Sequence, residues 1–143
     1  MSINVEVIKI ETDMDTAKAI RTDVFVDEQN VPMDIEMDEF DASSNHILAS
    51  WNGLPAGTAR WRETDEGWKL ERFAVLKSYR GKQIGASLVR FIITNIDLSK
   101  TVYLYAQESV INFYKPFGFV EEGERFFEAN IPHMKMVLNN KNE

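Results

Sequence analysis

The stretch LERFAVLKSYRGKQIGASLVRFI, residues 70–92, changes character in its middle. Its first residues complete a strand candidate, GWKLERFAVL (67–76). Beyond Gly81 the apolar residues from Ile84 to Ile92 recur at helical spacing, and glycines and basic residues lie between the two halves. The stretch therefore predicts a strand that leads into an amphipathic helix through a short loop.

A helix that begins after such a loop has unpaired backbone N–H groups at the positive end of its dipole, where an anion can bind. Gly81 and Gly85 allow a phosphate to approach the backbone, and Arg80 and Lys82 add positive charge. The nucleotide-binding motifs G-x-x-x-x-G-K-[ST] and G-x-G-x-x-G are absent from the loop. Taken alone, the loop leaves an ordinary helix start with solvated basic residues as the alternative.

Length and composition predict a single domain, residues 1–143, with the hydrophobic content of a globular protein, 44%. No apolar run approaches the ~18 residues of a membrane span and the N-terminus has no secretory pattern, so we expect no membrane partner and a cytoplasmic location. The net charge of −7 opposes binding to nucleic acid. The absence of cysteine excludes disulfides and thiol chemistry.

Along the chain the patterns predict the element order β-α-(α)-β-β-β-α-β-α-β-β. Thr12 or Asp13 is expected to cap the first helix, and residues 30–45 form an acidic loop with at most a short helix. The strand candidates are 3–10, 46–51, 56–63, 67–76, 101–107, 118–128 and 133–138, and the helices lie in 12–29, in the residues after Gly81, and in 109–116.

Two segments resemble motifs of the GNAT superfamily of N-acetyltransferases. RGKQIGASLV (80–89) resembles its pyrophosphate-binding loop, (Q/R)-x-x-G-x-(G/A), with the first glycine replaced by Gln83. INFYKPFGFVEEGE (111–124) resembles its later helix-strand segment, and the likeness covers nearly the whole chain. The resemblance implies an α/β GNAT (acyl-CoA N-acyltransferase) fold, with a mixed, mostly antiparallel central sheet flanked by helices.

The resemblance also implies a site for acetyl-CoA. In this family the strand before the loop separates from its neighbour, so backbone groups of residues 73–75 would pair with the pantetheine arm, and the N–H near Val75 would face the thioester oxygen. Gln107, seven residues before Tyr114, stands where many relatives have asparagine. The expected coenzyme-binding residues are Phe73, Ala74, Val75, Arg80, Gly81, Lys82, Gln83, Ile84, Gly85, Ala86 and Gln107.

The reaction implied is transfer of the acetyl group of acetyl-CoA to a primary amine by direct attack in a ternary complex. By the same resemblance Tyr114 would protonate the departing thiolate; a core aromatic is the alternative. Glu71 is the candidate base, although a solvated cross-strand partner explains it as well. His46 and His133 are the second choice for the base, and no residues show metal-ligand spacing.

The acidic residues of the early loop bear on the acceptor. If Asp38 and Asp41 face the site, they would bind a cationic acceptor, either a small amine or a protein lysine or N-terminus. A binding module that senses acyl-CoA without turnover is the alternative function. A homodimer is left open.

Overall fold

The computed structural model describes residues 2–139, and within them seven strands form one sheet in the order β1-β2-β3-β4-β5-β7-β6. Neighbouring strands are antiparallel except β4 and β5, which are parallel. The strands are β1 (Ile3–Val7), β2 (Asn45–Trp51), β3 (Leu54–Glu63), β4 (Trp68–Val75), β5 (Val102–Gln107), β6 (Phe119–Glu128) and β7 (Ile131–Leu138).

Four α-helices connect these strands in the described part of the chain. They are α1 (Glu11–Arg21), α2 (Met33–Glu36), α3 (Ile84–Asn95) and α4 (Ile111–Tyr114). A π-helical segment, Thr22–Glu28, continues α1, and 3-10 turns lie at Lys77–Tyr79, Glu108–Val110 and Lys115–Phe117. None of the described helices is long and apolar enough to cross a membrane.

The predicted element order is confirmed, with two differences of detail. The first helix changes to π-helical geometry after Arg21, where the sequence predicted one helix to residue 29. The predicted caps are wrong: Ile10 occupies the N-cap position in extended conformation and no side chain there bonds the helix. Thr12 and Asp13 lie inside α1, since the N-cap is Ile10, two or three residues before the predicted caps.

The two faces of the sheet are covered by different helices. Helix α3 buries Leu88, Val89 and Ile92 completely against one face, in the main hydrophobic core. On the other face, Ile20 of α1 packs with Ala74 of β4. Each helix thus buries an apolar stripe, which stabilises the sheet by removing apolar area from water.

Strands β4 and β5 separate halfway along their length. Their pairing ends at Leu70 opposite Leu104. One residue further along β4 there is a bulge, because Glu71 lies opposite Arg60 but Ala74 lies opposite Thr58. Within it Arg72 has a φ of 59°, a left-handed conformation that is rare for side chains other than those of Gly, Asn and Asp. A gap opens between the two strands beyond this point.

A cluster of charged residues fixes α2 and the acidic loop to the sheet; we call it the arginine network. It joins Arg21, Arg60 and Arg72 to Glu36, Asp38 and Asp41, and Glu71 binds at its edge. Arg60 is 1% exposed and forms a bidentate pair with Asp38, both N···O distances being 2.8 Å. Burial opposes ionisation of Asp38, but Arg60 outweighs it and lowers the pKa of this carboxyl to about 2.

We predict that Arg60→Met lowers the free energy of unfolding by about 3–5 kcal/mol at pH 7, because it leaves buried carboxylates without their cation. A carboxyl with a lowered pKa stabilises the native fold above its ordinary value of 3.8, and this contribution is lost as the pH falls to about 2. The difference in the free energy of unfolding between the native protein and the variant should therefore decrease as the pH falls from 4 to 2. Urea denaturation at several pH values measures it.

Arg62→Met is the matched control. Arg62 also binds Glu71 but is 16% exposed and lies over the Phe40 ring, so we expect a loss of about 1 kcal/mol. Equal losses for the two variants, or a deficit for Arg60→Met that is independent of pH, would contradict this role of Arg60.

Candidate active site

A cavity of about 800 Å³ occupies the gap between β4 and β5. Its wall on one side is formed by residues 79–81 and 83–86, which are the loop before α3 and the first turn of that helix, together with α4 and the turn after it. On the other side the wall is formed by the π-helical segment, α2 and the turn between β6 and β7. The cavity thus passes from one face of the sheet to the other.

The N-terminus of α3 supplies unpaired backbone donors to this cavity. The first backbone bond of the helix runs from Ser87 N to Gln83 O, 3.0 Å, and no side chain caps the helix. The N–H groups of Ile84, Gly85 and Ala86 precede that bond, and all three residues line the cavity. Because the helix dipole adds positive potential here, this end of the cavity suits a phosphate group.

The backbone conformation of Gln83 accounts for the absence of the first glycine of the family loop. It has φ 71° and ψ 16°, the left-handed conformation that glycine adopts at least cost, and its side chain is exposed. The backbone therefore takes the shape that a glycine at this position would allow. Gly81, with φ 82°, is a second left-handed residue of the loop.

The two basic residues of the loop differ in position. Arg80 lines the cavity, donates to Val75 O at 3.0 Å and forms a bidentate pair with Glu28 at 2.6 and 2.7 Å. Lys82, expected from the sequence to bind coenzyme, is not among the cavity-lining residues; its Nζ lies 5.2 Å from the ring centre of Trp51. Only Arg80 of these two thus presents its side chain to the cavity.

Strand β4 presents a free backbone edge to the cavity. Leu76 N donates to Ala56 O of β3, 2.9 Å, and successive residues of a strand point their N–H groups to opposite edges. The N–H of Val75 therefore points away from β3, into the gap. The side chains of Phe73 and Val75 line the cavity, whereas that of Ala74, also expected at the coenzyme site, packs against α1.

Tyr114 lines the cavity from α4 and is 6% exposed. The rings of Phe73 and Phe113 pack edge-on against it, with centroid distances of 5.8 and 4.9 Å. Burial raises the pKa of Tyr114 well above its ordinary value, so the phenol stays protonated. No described residue accepts a hydrogen bond from this hydroxyl, which leaves its proton available in the cavity.

Glu71 lines the cavity but is held by cations. Its carboxylate binds Arg60, Arg62 and Lys69 at 2.7, 2.7 and 3.3 Å. Burial acts to raise the pKa of Glu71, but the charges of Arg60 and Lys69 outweigh it and lower the pKa. A carboxylate with a lowered pKa and three cationic partners is a weak proton acceptor, which favours the cross-strand structural role.

Asp38 and Asp41, which the sequence predicts to bind the acceptor, take part in the arginine network. Neither lines the cavity. Asp38 binds Arg60 and Arg72, and Asp41 binds Arg21 and Arg60. Because these carboxylates are neutralised by guanidinium groups, they do not bring excess negative charge to the nearby cavity wall formed by α2.

The remaining predicted residues are the two histidines and Gln107, and not all of them line the cavity. His133 of β7 lines the cavity, whereas His46 of β2 does not. Gln107 lines the cavity and donates from Nε2 to Gln29 Oε1, 2.8 Å, which ties the end of β5 to the residue after the π-helical segment. The sequence did not identify Gln29 or Arg72 as cavity residues. Nothing local in the sequence marks them, because a bulge and a contact across 78 residues depend on the assembled fold.

Comparison with known proteins defines the class to which this fold and site belong. The model of the acetyltransferase (GNAT) domain matches residues 12–140. The chain therefore belongs to the GNAT acetyltransferase family.

Related proteins agree over nearly their whole length. The chain is 36% identical over 134 residues to the uncharacterized N-acetyltransferase YjcF of Bacillus subtilis (strain 168), covering 92% of this chain and 96% of that protein. It is 35% identical to the protein ElaA of Escherichia coli (strain K12), over 82% of each.

Solved structures show the same fold. The crystal structure of Escherichia coli ElaA superposes with a TM-score of 0.84 at 29% identity, covering 96% of this chain and all of that one. An acyl-CoA N-acyltransferase from Pseudomonas aeruginosa superposes with a TM-score of 0.85 at 25% identity and the same coverage. The predicted GNAT fold, a mixed sheet flanked by helices, is thereby confirmed.

The conformation of Gln83 leads to a prediction. Gln83→Gly removes the cost of a left-handed side-chain-bearing residue, about 1 kcal/mol, so the free energy of unfolding should rise by up to that amount. Chemical denaturation measures the change. Gln83→Ala is the control, because alanine is strained in the same way and should give no gain. A loss of stability in Gln83→Gly would contradict this account of the loop.

Proposed function

We propose that the protein is an acetyl-CoA-dependent N-acetyltransferase that acetylates a primary amine by direct attack in a ternary complex. The observation that carries the proposal is the meeting of three kinds of donor in one cavity. They are the N-terminal amides of α3, the free N–H of Val75 and the hydroxyl of Tyr114.

Each donor suits a different part of acetyl-CoA. The amides of Ile84, Gly85 and Ala86, with the guanidinium of Arg80, suit the pyrophosphate. The open edge of β4 can pair with the amides of the pantetheine arm in the manner of an added strand. The Val75 N–H and the Tyr114 hydroxyl would then serve the thioester oxygen and the sulfur.

The reaction follows from these assignments. The amine nitrogen attacks the thioester carbon, and the negative charge that develops on the oxygen is stabilised by the Val75 N–H. The carbon–sulfur bond then breaks, the thiolate takes the proton of the Tyr114 hydroxyl, and water returns a proton to the phenolate. A base takes one proton from the ammonium form of the amine before the attack, and the nitrogen loses its second proton to water after the attack. The products are the N-acetylated amine and free CoA.

The acceptor is a primary amine, and the rest of the acceptor molecule need not carry a charge. The support for this is the arginine network, in which the acidic residues of the early loop are neutralised. Phe25, Val31 and Ile35 line the same side of the cavity, so part of the acceptor surface is apolar. A panel that contains both small amines and lysine-containing peptides distinguishes a small-molecule acceptor from a protein acceptor.

A panel of amines tests the function. The purified protein is incubated with acetyl-CoA and each amine, and free CoA is measured after subtraction of the hydrolysis without amine. The panel contains alkylamines, aralkylamines, polyamines, amino acids and lysine-containing peptides. We expect amine-dependent CoA release with at least one class. Acetyl-CoA binding by calorimetry without release for any amine would contradict the proposal and favour a sensor of acyl-CoA.

We predict that Tyr114→Phe lowers turnover by about 10²–10⁴-fold and leaves acetyl-CoA affinity little changed. The substitution keeps the buried ring and removes only the proton donor. Steady-state kinetics, calorimetry and a melting curve together separate chemistry from packing. The control is Tyr103→Phe, since the Tyr103 hydroxyl bonds Thr64 at 2.7 Å and Tyr103 does not line the cavity. Turnover of Tyr114→Phe within about threefold of the native rate, under ~1 kcal/mol of barrier, would contradict the role.

A further inference from the structure

The two histidines of the chain are held in opposite tautomers. His133 Nδ1 lies 2.7 Å from the carbonyl oxygen of Ile131, and His46 Nε2 lies 2.8 Å from that of Asp41. A carbonyl oxygen only accepts, so each of these ring nitrogens carries the proton. In its neutral form His133 therefore has a lone pair on Nε2, whereas His46 has its lone pair on Nδ1.

His133 lies on the acceptor side of the cavity. It pairs with Gln107 across β5 and β7. Met136 and Leu138 of the same strand are in the core under α3, and side chains of a strand alternate between faces. The ring of His133 thus projects from the face opposite α3. In the proposed complex the coenzyme pyrophosphate lies at the N-terminus of α3, on one face of the sheet. The acceptor would therefore approach a thioester beside Val75 from the opposite face, where His133 lies.

The imidazole is fixed in orientation. It is 8% exposed and stacks on Phe126, with centroids 5.7 Å apart and planes 25° apart. The bond from Nδ1 to Ile131 O prevents rotation of the ring. Nε2 has no hydrogen-bond partner among residues 2–139. A cavity-lining ring with one nitrogen bonded to the backbone and the other without a partner in residues 2–139 has the arrangement of a general base.

The carboxylates of the cavity are less suited to accept a proton. Glu71 is engaged by Arg60, Arg62 and Lys69. Glu36 binds Arg21 through Oε2, and its other oxygen, Oε1, has no accessible surface. Glu128 is exposed to solvent at the end of β6. Of these cavity residues, His133 is therefore the one best suited to accept a proton from an amine bound in the gap.

We propose that His133 is the general base of the acetyl transfer: Nε2 accepts the proton that a bound alkylammonium must lose before its nitrogen can attack. This proposal rests on the proposed function. The Nδ1–H bond to the Ile131 carbonyl stabilises the positive charge that the ring acquires, and the proton then passes to water. The proton that protonates the thiolate comes from Tyr114, so the two groups act on opposite ends of the reaction.

The tautomer is tested without any substrate. Long-range proton–nitrogen spectra of the full chain labelled with ¹⁵N-histidine, recorded where both rings are neutral, should show one Nδ1–H ring and one Nε2–H ring. His46→Gln assigns them by removing the Nε2–H set. If His133 is instead the Nε2–H tautomer, its Nε2 cannot accept a proton and the proposal is overturned.

Kinetics test the role itself with the most active alkylamine of the panel and with methoxyamine, which is already neutral at pH 7. His133→Gln should lower alkylamine turnover by about 10²–10⁴-fold, lower methoxyamine turnover far less, and leave the acetyl-CoA Kd unchanged. His46→Gln should behave as the native protein. Equal losses for both amines indicate a structural residue and overturn the proposal, as does full activity of His133→Gln. Absence of turnover by the native protein overturns the proposed function as well. The tautomer of His133 is measured without substrate, so that result does not depend on turnover.

Discussion

The bulge of β4 at Arg72 is the constraint on which the site depends. Two residues of β4, Arg72 and Phe73, lie opposite one of β3, and this turns the strand away from β5. The left-handed backbone of Arg72 is unfavourable by itself, and its guanidinium is held by the carbonyl oxygens of Ile35 and Glu36 and by the carboxylate of Asp38. These bonds hold the bulge in place at the point where β4 and β5 separate.

The arginine network connects this local shape to the rest of the fold. Arg21 of α1 and Arg60 of β3 are each 1% exposed, and both bind carboxylates of the segment around α2. Three guanidinium groups and three carboxylates give this cluster no net charge, and buried charges are tolerated only when paired in this way. The cluster therefore fixes α2 against the bulge, and two of its members, Glu36 and Arg72, line the cavity.

Local sequence signals predicted much of the fold. The strand-loop-helix junction of residues 70–92, the period of α3 and the turns between strands are encoded in neighbouring residues, and they appear where expected. The family loop likewise predicted the donors of α3, although the left-handed Gln83 could be recognised only from its backbone angles.

The pairing of the charges could not be predicted in the same way. Asp38 and Asp41 formed part of an acidic run, and their partners Arg60 and Arg21 lie about 20 residues away on other elements. The sequence therefore predicted Asp38 and Asp41 as acceptor contacts and Glu71 as a base without showing the ion pairs in which these carboxylates take part. The tautomers of His46 and His133 are set by backbone carbonyls near them, which sequence patterns do not specify.

The central claim is that the gap between β4 and β5 is the acetyl-CoA site, with backbone amides as its main donors. Amide hydrogen exchange of the full chain, measured residue by residue with and without acetyl-CoA, tests it most directly. We predict slower exchange at Val75, Ile84, Gly85 and Ala86 in the complex, and little change in β1 and β2. Protection confined to other elements, with these four amides unchanged, would contradict the account.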